Sequence, residues 1–114
     1  MMERRIEILL GGGVISRTTA DYALTSARIL ALLHPEADEE RAAGFITHLA
    51  LAAERVLRQN AVEPMTREAW QQVKNSPEYV AALRLWDKLE EISPVSFPAS
   101  EREYLFLYMC MMLE

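Results

Sequence analysis

Between Asp38 and Arg58 the apolar residues Phe45, Leu49, Ala52 and Val56 recur every three or four positions, with Gly44, Ala50, Ala52 and Ala53 along the flanks. That spacing lays one apolar stripe along an α-helix, and the small residues let other helices approach closely. Such a helix gains most of its stability from packing, so the rest of the chain has to cover it. Asp38 is placed to cap it, with Glu39 and Glu40 in the first turn, where the helix dipole favours acids.

The remaining segments read the same way. Ile6, Leu9 and Leu10 have helical spacing within residues 1–10, with a short strand as the alternative, and Gly11-Gly12-Gly13 reads as a flexible break. Thr18 with Asp21 has capping-box spacing, and Tyr22, Ala23, Ile29, Leu30 and Leu33 carry a helix to His34-Pro35, which stops it. Thr66 is placed to cap a short helix bearing Trp70 and Val73. Ser76-Pro77 predicts a hydroxyl cap followed by proline at the first helical position, ahead of Tyr79, Ala82, Leu83, Trp86 and Leu89. Ser100 with Glu103 predicts a second capping box before the last helix, which holds Tyr104, Leu107, Tyr108 and Met111. There is no strand alternation of useful length and no internal repeat. The expectation is all-α: a bundle of about five helices.

Bulk properties narrow the function classes. A chain of 114 residues can bury one core without disulfides or a metal. The net charge is -5 with no basic stripe, which argues against direct nucleic-acid binding. Cys110 is the single cysteine, so the cytoplasm is the expected compartment. No stretch is long and apolar enough for a membrane span.

Enzyme readings fare poorly, and no catalytic residue is assigned. His34 and His48 are the two histidines, and nothing ties either to Cys110 or to a particular serine as a hydrolytic triad requires. One cysteine and two distant histidines do not make a zinc pattern, so no metal and no cofactor is expected. The glycine triplet lacks the lysine of a phosphate-binding loop. Met109, Cys110, Met111 and Met112 are soft donors, but consecutive helical positions face different ways, and core or interface filling is the stronger reading. His34, at a helix end, is expected to bond terminal carbonyls. His48 stands in the middle of the mostly apolar stretch from Phe45 to Arg55, with Arg41 and Arg55 two turns away on either side. A neutral imidazole there can accept a phosphoryl group, and nearby arginines favour the added charge. On the residues alone, a hydrogen-bonded interface histidine is the stronger reading.

Three stretches then stand in a recognisable order: FITHLALAAER from Phe45 to Arg55, QQVKNSPEYVAALRLWDKLEE, and EREYLFLYMC near the C-terminus. Together they resemble the PTS regulation domain, the helical module of bacterial antiterminators and activators controlled by the sugar phosphotransferase system. The resemblance covers residues from about 17 to 114, with 1–16 as an N-terminal extension. It implies a five-helix regulatory domain that dimerises and is phosphorylated on histidine by the phosphocarrier protein or a sugar-permease component. Carried over by motif, His48 is the acceptor, and Arg55 helps hold the phosphate or the local packing; Arg41, by its helical spacing from His48, is a further support for the phosphate. The closing signature departs from the family: Tyr108 stands where the second histidine belongs. Tyrosine is a poor nucleophile near neutral pH, though it can fill the same volume and make a hydrogen bond. The alternative expectation is therefore a helical dimerisation or partner-binding module that has lost phospho-regulation, with the apolar run LFLYMCMML exposed or at an interface. The extension is too short for a nucleic-acid-binding domain, so the module is expected to act in trans or as part of a longer protein.

Overall fold

The computed structural model describes residues 2–114; the first residue of the expected extension lies outside them. Six helices follow one another: α1 Met2–Gly11, α2 Arg17–Leu33, α3 Glu39–Leu57, α4 Arg67–Lys74, α5 Tyr79–Glu91 and α6 Ala99–Leu113. No strand forms among the described residues. The all-α expectation holds, with one helix more than the approximate count, because residues 2–11 form a helix rather than a strand.

The glycine triplet is an ordered stop. Gly13 takes φ +73°, its N–H donates to Leu10 at 3.1 Å, and the Val14 N–H donates to Leu9 at 2.9 Å. These paired bonds satisfy carbonyls that a helix end leaves open, and glycine enters the left-handed region without strain. The same pattern closes α3 at Gln59, φ 57°, where the Asn60 N–H donates to Arg55 at 2.8 Å.

Asp38 and Thr66 cap α3 and α4 as expected, accepting from the N–H groups of Arg41 and Ala69. Three expected starts are displaced. Helix α2 is capped by Ser16 rather than Thr18, because Glu54 of α3 accepts from the Ser16 N–H at 2.9 Å and its hydroxyl at 3.1 Å. A carboxylate from another helix thus takes the part that a local capping-box acid would play. Ser76-Pro77 forms a turn in which the Ser76 hydroxyl accepts from the Glu78 N–H, and α5 begins two residues later than predicted. Helix α6 starts behind Pro98 without a side-chain cap, and Glu103 instead accepts from Arg67 of α4 at 2.8 Å.

Helix α3 is the hub, packing on α1, α2 and α6. Ala42, Ala43, Phe45, Ile46, Leu49, Ala50, Ala52 and Ala53 are all buried, so only a narrow strip of α3 meets solvent. Helix α6 is wedged among α3, α4 and α5. That corrects the expected exposed C-terminal run: Leu105, Phe106, Met109, Cys110 and Met112 are core, and Met111 is the exposed one. Trp70, Tyr79, Trp86, Phe97 and Phe106 form a chain of tilted and edge-on aromatic contacts beneath α6. Among the described residues no helix is long and apolar enough to cross a membrane.

Candidate functional site

The exposed strip of α3 runs beside α6, and three contacts fix the register of the two helices. Arg41 Nη1 donates to the Met111 carbonyl at 3.3 Å, His48 meets Tyr108, and Arg55 meets Glu101. Positions rise along α3 as they fall along α6, so the helices are antiparallel. Along α3 the contacts recur every two turns, the interval that returns a helix to the same face.

At the centre, the His48 and Tyr108 rings lie flat on one another, with centroids 3.8 Å apart and planes 7° from parallel. Tyr108 is half-buried and His48 exposed. Among the described residues no hydrogen bond holds either His48 nitrogen. The stack therefore restrains the ring by one face, while among the described residues both in-plane nitrogens have no hydrogen-bond partner. Tyr108 meets His48 by stacking, and no hydrogen bond joins the two side chains.

A cleft of ≈ 260 Å³ opens beside the ring, lined among others by Arg41, Gly44, Phe45, Tyr108 and Met111. Gly44 stands one helical turn before His48, and nothing would meet a Cβ there within 4 Å. Partial burial, and then the positive charge of Arg55, hold the His48 imidazole below its ordinary value. The ring is accordingly neutral at physiological pH, with a lone pair in its plane.

The arginines differ in availability. Arg41 is exposed at the edge of the cleft. Arg55 is committed: its Nε and Nη2 donate to Glu101 Oε2 and Oε1 at 3.0 and 2.9 Å in a side-on fork. That bonding raises the Arg55 guanidinium above its ordinary range. Glu101 is fully sealed from solvent, and its Oε2 also accepts from the Val62 N–H at 3.0 Å. Glu101 was not among the residues expected at the site, although it is the first acid of the EREY signature, seven positions before Tyr108.

The other candidates lie elsewhere. His34 ends α2, where its backbone N–H donates to Leu30 at 2.8 Å, but its ring Nδ1 sits 3.2 Å from the Glu36 carboxylate instead of bonding carbonyls. Cys110 is buried, and burial pushes its thiol up, away from the reactive thiolate. No three His, Cys, Asp or Glu side chains among the described residues are grouped to hold a metal ion.

Comparison with known proteins adds one result. A family described as "PRD domain" matches residues 28–110, which contain His48, Arg41, Arg55, Glu101 and Tyr108. Nothing among curated proteins and nothing among solved structures matches the chain. With a family match over most of its length, the chain belongs to the PRD family and is a regulatory domain of the PTS regulation type.

Proposed function

We propose that this domain is a cytoplasmic regulatory module that is phosphorylated on His48 by the phosphocarrier protein or a sugar-permease component of the phosphotransferase system. Phosphorylation then alters contacts with a second copy or a partner, and so influences transcription without direct contact with nucleic acid. The observation that carries this reading is the flat stack of Tyr108 on an exposed His48, with neither ring nitrogen hydrogen-bonded among the described residues.

A phosphoryl acceptor has to offer an in-plane lone pair to an approaching phosphorus, and proximity alone is insufficient without orientation. The stack supplies orientation, and the space beside Gly44 supplies access. One His48 nitrogen attacks the donor phosphorus; the new N–P bond forms as the donor's bond to phosphorus breaks. The leaving group departs with the bonding pair and takes up a proton, while the His48 ring sheds the proton of its other nitrogen. Arg41 at the edge of the cleft and the field of Arg55 favour the added charge. Tyr108 serves as a platform rather than a second acceptor.

The alternative reading, a partner-binding module without phosphorylation, draws support from apolar side chains outside the site: Leu32 is 82% and Val80 58% exposed. The two are separated by incubating the chain with phosphoenolpyruvate and the phosphotransfer relay, then sedimenting labelled and unlabelled protein. Acid-labile label on the wild type, lost in His48→Ala and accompanied by changed assembly, is the expected result. Absence of label together with stable assembly would leave the alternative.

A further inference from the structure

Three backbone segments converge on the Glu101 carboxylate. Its own helix is α6; Arg55 reaches it from the end of α3; and Val62 donates to it from the irregular connector of residues 58–66. Oε2 is shared, accepting from both Arg55 Nε and the Val62 N–H at 3.0 Å. Early in the connector the Asn60 N–H returns to α3 itself, so among the described residues the Val62 bond is the connector's hydrogen-bonded tether to α6. We propose that Glu101 relays the phosphorylation state of His48 to this connector, through Arg55 on one side and the Val62 amide on the other. The inference rests on the phosphorylation reading above.

The physical case is a competition between two anions for one guanidinium. A phosphoryl group on His48 adds up to about two negative charges and three acceptor oxygens, against the single charge of Glu101. Arg55 lies two turns along the same helix from His48, and helical side chains lean toward the N-terminus, which carries the guanidinium toward the imidazole. Its charge already reaches the ring. The Arg55 side chain is 36% exposed, and it has room to move, whereas Glu101 is at 0%. Once Arg55 turns to the phosphoryl group, the sealed carboxylate keeps one N–H partner. A buried carboxylate so poorly solvated is unfavourable, and it relaxes by turning out of its site. The Val62 N–H then loses its acceptor and the connector is released. Pro64, Met65 and Thr66 of this connector also form a wall of the ≈ 590 Å³ cleft beside α6, so its release changes the surface a partner would meet.

Amide hydrogen exchange at Val62, measured by NMR on the full chain before and after phosphorylation, tests the relay. The expected result is exchange about tenfold faster after phosphorylation, while amides in the middle of α3 stay protected. In unphosphorylated Arg55→Gln, Val62 is expected to be already fast. Glu101→Gln keeps an acceptor for Val62 but cannot hold the guanidinium by charge. In that variant phosphorylation is expected to leave Val62 unchanged, and this arm decides the matter should Arg55→Gln fail to fold. Label on His48 with unchanged Val62 exchange in the wild type overturns the relay and leaves the phosphorylation reading standing. Equal protection of Val62 in wild type and folded Arg55→Gln, or a phosphorylation response that persists in Glu101→Gln, also overturns it. A wild type that takes no label removes the phosphorylation reading, and the relay with it.

Discussion

At His48 the chemistry depends on what touches the ring and what does not. A hydrogen-bond partner would orient the imidazole by occupying a nitrogen; Tyr108 contacts it through a face and occupies neither nitrogen. Removing that face should let water reach the ring. In Tyr108→Ala the His48 pKa, followed by NMR titration, is expected to rise toward the ordinary 6.5, and in Tyr108→Phe to stay low. An unchanged titration in Tyr108→Ala would remove Tyr108 from the account. Because the folded value is depressed, protonation favours the unfolded chain. The stability linked to His48 is therefore fully present above pH 6.5 and is lost as pH falls through the lowered value. Acceptor activity should likewise persist somewhat below pH 6.5, and a phosphorylation rate already halved at that pH would contradict the assignment. The positions of His48, Arg41 and Arg55 on one side of a helix were legible from spacing alone. Glu101 was not, because periodicity places an acid on a face without saying that the face will be sealed by a connector and an arginine from elsewhere.

Between helices, the Arg55–Glu101 fork is the polar lock of the α3–α6 contact. Its two partners are not equivalent. Arg55→Ala leaves a sealed carboxylate without its cation, which costs about 3–5 kcal/mol for a fully buried pair; with Arg55 36% exposed, about 2–3 kcal/mol is expected. Glu101→Leu added to Arg55→Ala removes the stranded charge and should recover half or more of the loss. Urea unfolding of the two variants measures this, and a double variant no more stable than Arg55→Ala would contradict it. At this scale the sequence was readable where helix signals are local, as at Asp38 and Thr66. It misled where a distant side chain took over: Glu54 moves the α2 cap to Ser16, and Arg67 draws Glu103 away from a capping box.

Across the molecule, helical periodicity is a local property, and for that reason the all-α class could be read before any contact was known. What α1 packs against could not: Ile6, Leu9 and Leu10 at helical spacing say that a helix has a sticky side, not where it docks. In the structure Ile6 is 1% and Ile15 2% exposed, both within the same core as Phe45 and Leu49. Ile6→Ala should accordingly cost about 2–4 kcal/mol in chemical denaturation, in one cooperative transition. A cost near zero would mean that α1 is not docked in solution.

Locating the phosphoryl group decides whether His48 is the acceptor. The chain has 2 histidines, so tandem mass spectrometry under non-acidic conditions, after phosphorylation by the relay, decides between them. The group is expected on His48 in the wild type and in Tyr108→Phe, and none is expected in His48→Ala. A phosphoryl group found on His34, or label retained in full by His48→Ala, would contradict it.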